Sequence, residues 1–143
     1  RWPPAGTRGV GFSRANLFGT HFDTYREEAQ APLVVAMIEH LTAVDNLEEI
    51  LQVSGLDAIL IGPYDLSASM EMTAEFESEE FIATISHILT LCKQYNIPCG
   101  VHVVQPTPSM LYKRVEEGYR FIAYSIDSVF LTSTIDNPMR GAL

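Results

Sequence analysis

The sequence predicts an α/β fold with a parallel sheet, because short apolar runs alternate with longer segments of helical character. The four apolar runs lie at residues 32–38, 58–61, 99–104 and 121–126. Such runs are typical of strands that are buried on both faces, as in parallel sheets. Each connection is long enough for a right-handed crossover. Four βα units are about half of an eight-stranded (β/α)8 barrel, so a half-barrel is predicted, with an open doubly wound sheet as the alternative.

The segments between the predicted strands carry helix signals. Thr42 is the expected N-cap of one helix. Ser78 opens a longer helix that stops near Asn96, and a third helix starts at Pro108 and ends at Gly118. The apolar stripe of the longer helix is predicted to comprise Phe81, Ile82, Ile85, Ile88, Leu89 and Cys92.

The composition is that of a globular chain and limits the classes of partner. The 143 residues are 47% hydrophobic and 19% charged, with a net charge of −9. This charge argues against nucleic acid or an anionic membrane as the main partner. No apolar run is long enough to span a bilayer, and no signal peptide is recognised. Cys92 and Cys99 lack zinc or redox spacing and are expected to be buried, reduced thiols of a cytoplasmic protein.

Acidic residues follow three of the predicted strands. Glu39 and Asp65 come from neighbouring βα units, and Asp127 follows the fourth strand. Neighbouring strands lie about 4.8 Å apart, so side chains at equivalent strand ends can converge on one ion. Two carboxylates, with other positions left to water and substrate oxygens, suit Mg²⁺ or Mn²⁺ rather than a structural zinc. The pattern alone leaves a second interpretation open, in which Glu39 is a charge that reaches solvent and both aspartates cap turns.

The four histidines give no assignable catalytic base. His87 lies near the predicted apolar stripe of a helix, and His102 lies within a strand. His40 follows Glu39 directly, so strand alternation would point it the other way. His21 is the fourth histidine, and no Ser-His-Asp or Cys-His arrangement can be assembled with the right local signatures.

Five segments of the chain resemble the HpcH/HpaI aldolase and citrate lyase family. They are RWPPAGTRGVGFSRA at residues 1–15, MIEH at 37–40, AVDNLEEI at 43–50, GLDAILIGPYDLSAS at 55–69 and FIAYSIDSVFL at 121–131. They cover nearly the whole chain in order, and they are most similar to the class II pyruvate aldolases, as in 4-hydroxy-2-oxoheptanedioate aldolase. The resemblance implies a (β/α)8 barrel. Residues 1–143 would be the C-terminal half of that single domain, with the N-terminal half absent.

The resemblance also implies a metal site and a reaction. Glu39 and Asp65 stand where the family binds a divalent metal ion, Mg²⁺, Mn²⁺ or Co²⁺. The implied reaction is retro-aldol cleavage of a 4-hydroxy-2-oxo acid to pyruvate and an aldehyde, with the metal as a Lewis acid at the keto oxygen. Two alternatives stay open: a CoA-ester lyase of the citrate lyase beta type, and a non-catalytic half-barrel fragment that retains only the metal ligands.

Substrate contacts and partners are further implications of the resemblance. The backbone of Tyr64 would contact the substrate carboxylate, and Met37 takes the place of a substrate-binding glutamine whose hydrogen bond it cannot make. The catalytic His–Asp base and an arginine are expected in the N-terminal half, so none is assigned here. The expected partner is a small 2-oxo acid. Relatives are hexamers, so a homo-oligomer is expected, with no nucleic acid or membrane partner.

Overall fold

The computed structural model describes residues 3–4, 6–7 and 9–134. Four residues of the first family-like segment, Arg1, Trp2, Ala5 and Arg8, lie outside this description. The chain divides into two compact units, one that ends at Leu33 and one that begins at Val34. The predicted single domain over residues 1–143 stays a prediction.

The first unit contains a 3₁₀ turn (Arg14–Gly19) and helix α1 (Phe22–Glu28). The fully buried Asn16 organises the turn. Its Oδ1 accepts hydrogen bonds from the N–H groups of Ser13 (2.9 Å) and Gly19 (3.0 Å). Its Nδ2 donates to the carbonyl oxygen of Gly11 at 2.8 Å. One side chain therefore satisfies three backbone groups that no regular structure would pair.

The second unit contains one sheet of four parallel strands. The strands are β1 (Val35–Ile38), β2 (Ala58–Ile61), β3 (Cys99–Val103) and β4 (Phe121–Tyr124). Each strand pairs in parallel with the next along the chain, so the spatial order is β1-β2-β3-β4. This confirms the predicted α/β class with a parallel sheet, and four consecutive βα units in this order are the arrangement of half a (β/α)8 barrel.

Six helices of the second unit are described. They are α2 (Leu41–Asp45), α3 (Leu47–Leu51), α4 (Pro63–Ser69), α5 (Glu79–Tyr95), α6 (Pro108–Glu116) and α7 (Asp127–Thr134). The predicted boundaries of α5 are confirmed. Ser78 accepts a hydrogen bond from the Phe81 N–H, and Asn96 ends the helix in the left-handed conformation. The prediction for Thr42 is wrong, because the N-cap of α2 is His40, whose Nδ1 accepts from the Thr42 N–H at 3.1 Å.

One face of the sheet packs against the helices and forms the core. Its strand residues are Ile38, Ile59, Ile61, Val101 and Val103, which pack with Leu47, Leu66 and Ile88 among others. Burial of such side chains supplies the main stabilising free energy. The predicted stripe of α5 is wrong at Ile82, which is 47% exposed, whereas Leu91 is buried. Cys92 and Cys99 are buried free thiols, as expected.

The opposite face of the sheet, here called the open face, carries the alternate strand residues. Met37 on β1 is 54% exposed. A methyl group added to Gly100 would overlap the ring of Phe121 on the neighbouring strand, so both residues share this face. Across the described part of the chain, no helix is long and apolar enough to cross a membrane. The cytoplasmic location stays a prediction.

Candidate metal centre

Glu39 leaves the end of β1 directly beside Gly62. The parallel register pairs Ile38 with Ile61, so Glu39 and Gly62 are the next residues of the two strands. The Gly62 N–H continues the ladder by donating to the Ile38 carbonyl oxygen at 3.1 Å. A Cβ built on Gly62 would lie 3.3 Å from the Glu39 Cβ and 3.5 Å from its Oε2. The Glu39 carboxylate therefore lies over the glycine, at the carboxyl edge of the sheet.

Asp65 lies on the neighbouring unit, three residues beyond the same glycine. It is the third residue of α4, which has Gly62 as its N-cap and Pro63 at its first position. The Leu66 N–H makes the first helical hydrogen bond, to the Gly62 carbonyl oxygen at 2.9 Å. Asp65 thus belongs to the first turn of a helix rather than to the strand end itself. The structure places Glu39 beside Gly62, and Asp65 follows this glycine by three residues, at the same edge of the sheet.

Both carboxylates are available to a cation. Glu39 and Asp65 are exposed. Within residues 3–4, 6–7 and 9–134, neither side chain makes an ion pair or a hydrogen bond. The same residues contain no group of three or more His, Cys, Asp or Glu side chains that could hold a metal ion. Two oxygen-bearing ligands fit Mg²⁺ or Mn²⁺, which keep several water or substrate ligands, and do not fit a closed structural zinc site.

The backbone and the ring of Tyr64 lie in different surroundings. It is the second residue of α4, so its N–H precedes the first helical hydrogen bond and has no acceptor within the helix. Its ring packs edge-to-face on Phe76, with centroids 5.0 Å apart. The ring borders a cavity of about 600 Å³ that is lined mainly by apolar residues of α5, β3 and α6. The Tyr64 backbone lies next to Asp65, so it is the backbone rather than the ring that is placed to contact an anion.

Met37 lies on the same face as Glu39, two residues earlier on β1. Its Sδ would be 3.8 Å from a Cβ on Gly62. A thioether is a weak acceptor and no donor, so Met37 gives this side of the centre an apolar surface. The roles predicted for Met37, Tyr64, Glu39 and Asp65 stay predictions. Met37 and Glu39 lie next to Gly62, and Tyr64 and Asp65 belong to the helix turn that follows this glycine.

The remaining polar candidates have local structural roles or no assigned role. Asp127 begins α7, and its Oδ1 accepts from the Ser128 N–H at 2.7 Å, which agrees with a turn or cap role. His87 is exposed on α5 rather than close to its buried stripe. His102 lies half-buried in β3.

Sequence reasoning missed the importance of Gly62 in this centre. In the sequence, the Gly-Pro pair indicates only a turn that ends a strand. The signal that could have revealed more is its register. A glycine one residue after β2 faces the acidic residue one residue after β1, and a glycine is the one residue that leaves that carboxylate unobstructed.

Comparisons with known proteins show which family the chain is similar to. A family model described as HpcH/HpaI aldolase/citrate lyase matches residues 1–133. The 5-keto-4-deoxy-D-glucarate aldolase of Salmonella arizonae is 35% identical over 136 residues, which are 94% of this chain and 52% of that protein. The chain therefore spans about half the length of the curated relatives it matches.

Two solved structures share the fold. An HpcH/HpaI aldolase/citrate lyase family protein from Burkholderia cenocepacia J2315 superposes with a TM-score of 0.73 at 28% identity, over 91% of this chain and 50% of that chain. The HpcH/HpaI aldolase of Desulfitobacterium hafniense DCB-2 gives a TM-score of 0.70 at 26% identity, over 93% and 52% of the two chains. The chain belongs to the HpcH/HpaI aldolase/citrate lyase family.

Proposed function

We propose that the protein is a divalent-metal-dependent aldolase that cleaves a 4-hydroxy-2-oxo acid to pyruvate and an aldehyde. The observation that carries the proposal is the pair Glu39 and Asp65, two exposed carboxylates at the carboxyl edge of the sheet that have no partner among the described residues. In parallel α/β barrels this edge is where active sites lie. The similarity to proteins named as aldolases supports the same reaction class.

Glu39 and Asp65 would each provide one carboxylate ligand to Mg²⁺, Mn²⁺ or Co²⁺. When bound, the ion would supply Lewis acidity to the keto group of the substrate. Because the protein provides only two ligands, positions would remain for water and for the oxygens of the 2-oxo acid. The absence of a side chain at Gly62 would leave the space next to the Glu39 carboxylate free for these small ligands.

The neighbouring residues would orient the substrate. The Tyr64 N–H, at the positive end of α4, would donate a hydrogen bond to the substrate carboxylate. Met37 would contact the substrate through its thioether and would offer no hydrogen bond. Met37 borders the space beside the Glu39 carboxylate, and Tyr64 directly precedes Asp65 in α4.

The reaction breaks the bond between C3 and C4 of the substrate. The C4 hydroxyl loses its proton and becomes the aldehyde oxygen, while the electron pair of the broken bond moves toward the keto carbonyl. Protonation at C3 then gives pyruvate. A base must accept the hydroxyl proton. We assign that role to no residue of this chain.

We further propose that the protein takes a small 2-oxo acid rather than a nucleic acid or membrane partner, and that it assembles as a homo-oligomer. The net charge of −9 supports the exclusion of polyanionic partners. The homo-oligomer follows from the family resemblance, and gel filtration with light scattering measures it directly.

Pyruvate release tests the proposed reaction. The intact protein would be incubated with 4-hydroxy-2-oxo acids, and pyruvate would be measured with coupled lactate dehydrogenase, before and after EDTA treatment. Release that stops with EDTA and returns with Mg²⁺ or Mn²⁺ is the expected result. Release that EDTA leaves unchanged would contradict the metal dependence. No release with any metal would favour a CoA-ester lyase or a protein that retains only the metal ligands.

A further inference from the structure

One hydroxyl group joins the two segments that carry the proposed metal ligands. The Leu41 N–H, two residues after Glu39, donates to the Ser69 Oγ at 3.0 Å. The Ser69 hydroxyl in turn donates to the Leu66 carbonyl oxygen of its own helix at 2.7 Å. Because Ser69 follows Asp65 by four residues, it lies about one turn further along the same helix. Ser69 thus connects the loop after β1 to α4.

The bond satisfies a backbone group that the local structure leaves without an acceptor. Leu41 is the first residue of α2, and the first N–H groups of a helix have no partner within it. The side chain of the N-cap residue His40 accepts from Thr42 instead. Ser69 therefore supplies the acceptor for the first N–H of α2, and a backbone N–H without its acceptor is unfavourable.

This bond closes a ring around the centre. On one side of Glu39, the ladder bond from the Gly62 N–H to the Ile38 carbonyl oxygen joins β1 to the start of α4. On the other side, the bond from Leu41 to Ser69 joins the same loop to the end of α4. Glu39 lies on one arm of the ring, between Ile38 and Leu41. Asp65 lies on the other arm, between Gly62 and Ser69.

We propose that Ser69 is a positioning residue that sets the separation of the Glu39 and Asp65 carboxylates. This inference rests on the proposed function, since it assigns to Ser69 the geometry of that same metal centre. A change in the ring should act on metal affinity first, because a site built from two ligands depends on their separation. The role differs from that of Glu39 and Asp65, since Ser69 acts through the backbone of the two arms.

Ser67 offers a matched control in the same helix. Its hydroxyl donates to the Tyr64 carbonyl oxygen at 2.9 Å and accepts from the Ala74 N–H at 3.0 Å. Both serines thus donate to the carbonyl three residues earlier and accept from a backbone N–H. Ser67 accepts its hydrogen bond from Ala74, in the loop directly after α4. Ser69 accepts its hydrogen bond from Leu41, two residues after Glu39. Ser67 is also the more buried of the two.

The test is the dissociation constant of Mn²⁺, measured by calorimetry on the intact protein and its serine variants. In Ser69→Ala the dissociation constant is expected to rise about tenfold, which corresponds to about 1.4 kcal/mol. Ser69→Thr, which keeps the hydroxyl, is expected to restore it. Ser67→Ala is expected to lower the melting temperature at least as much and to leave the Mn²⁺ affinity unchanged. In turnover assays, Ser69→Ala should raise the Mn²⁺ concentration for half-maximal activity more than it lowers kcat at saturating Mn²⁺.

The outcomes separate this inference from the proposed function. A wild-type protein that binds no Mn²⁺ overturns both. A wild-type protein that binds Mn²⁺ with the same affinity as Ser69→Ala overturns the role of Ser69 alone.

If Ser69→Ala does not fold, amide exchange in the wild-type protein decides the question. Adding Mg²⁺ is expected to slow hydrogen exchange at the Leu41 N–H, because the occupied centre would hold both arms of the ring. An exchange rate at Leu41 that Mg²⁺ leaves unchanged would show that this bond is not linked to the metal centre.

Discussion

The Glu39 side chain lies against Gly62, so closely that a methyl group on the glycine would sit 3.3 Å from the Glu39 Cβ. The two residues follow the paired strand ends Ile38 and Ile61. Gly62 has a φ of −97°, which other residues also adopt, so the backbone alone does not demand glycine here. The neighbouring Glu39 carboxylate explains the glycine, because any other residue at position 62 would place a side chain in the space next to that carboxylate.

Gly62→Ala is therefore expected to weaken metal binding with little effect on folding. The added methyl would push the Glu39 side chain at its Cβ by a few tenths of an ångström and so move its carboxylate. Crowding of this kind costs about 1 kcal/mol, or about fivefold in affinity. Calorimetry with Mn²⁺ measures the effect. Gly11→Ala is the control, since a Cβ there meets nothing within 4 Å. Equal Mn²⁺ affinity in Gly62→Ala and Gly11→Ala would contradict the prediction that metal binding needs a residue without a side chain at position 62.

Gly100→Ala is expected to destabilise the sheet rather than the metal centre. The new methyl would overlap the Phe121 ring on the neighbouring strand. Overpacking of this kind costs about 1–3 kcal/mol of the free energy of unfolding. Urea denaturation measures the loss. In a Phe121→Ala background the same change should cost much less, because the ring is gone. An equal cost in both backgrounds would contradict the close packing of these two residues.

Alkaline pH is expected to destabilise the protein in part through Tyr119. Burial raises the pKa of this phenol above its ordinary value of about 10. The stabilising contribution is fully present below pH 10 and is lost as the pH rises toward the folded-state pKa, by up to about 1.4 kcal/mol per pH unit.

Urea denaturation at pH 8 and pH 11 tests this dependence. Tyr119→Phe should lose less of its free energy of unfolding between the two pH values than the wild type. Tyr112, which is 68% exposed, provides the control, and Tyr112→Phe should show the wild-type loss. Part of the loss should persist in Tyr119→Phe, because the buried Cys99 also has a raised pKa, through its hydrogen bond with Cys92 and its burial. Equal losses in all three proteins would contradict the prediction for Tyr119.

The sheet could be predicted closely because local sequence determines it. The strand 58–61 has the predicted boundaries, since a continuous apolar run is bounded by the Gly-Pro turn. The fourth strand ends at Tyr124 rather than at residue 126, because Ser125 adopts a left-handed conformation with a φ of 61°. No apolar pattern reveals such a change, since Ile126 would continue the run although it is 46% exposed.

The details of the helices depend on contacts that the sequence does not show. Ile82 has the spacing of the α5 stripe but is half exposed, because it lines the cavity that Tyr64 also borders. His40 was not recognised as the cap of α2, since an imidazole accepts a hydrogen bond only through an unprotonated nitrogen.

The candidate metal centre, too, could be predicted only in part from the sequence. Glu39 and Asp65 could be predicted from their positions after neighbouring strands and from the family resemblance. The roles of Gly62 and Ser69 depend on register and on one long-range hydrogen bond, and both required the folded chain.

The central claim is that Glu39 and Asp65 together hold one divalent ion. Calorimetric titration of the intact protein with Mn²⁺ tests it most directly, in the wild type, Glu39→Gln and Asp65→Asn. Asp127→Asn is the control, because Asp127 also lies in the first turn of a helix that follows a strand. One ion per chain is predicted in the wild type and the control. Either carboxylate variant should bind about 100-fold more weakly or worse, since removing one partner of a charged contact costs on the order of 2–5 kcal/mol. Wild-type affinity in Glu39→Gln or Asp65→Asn would contradict the claim.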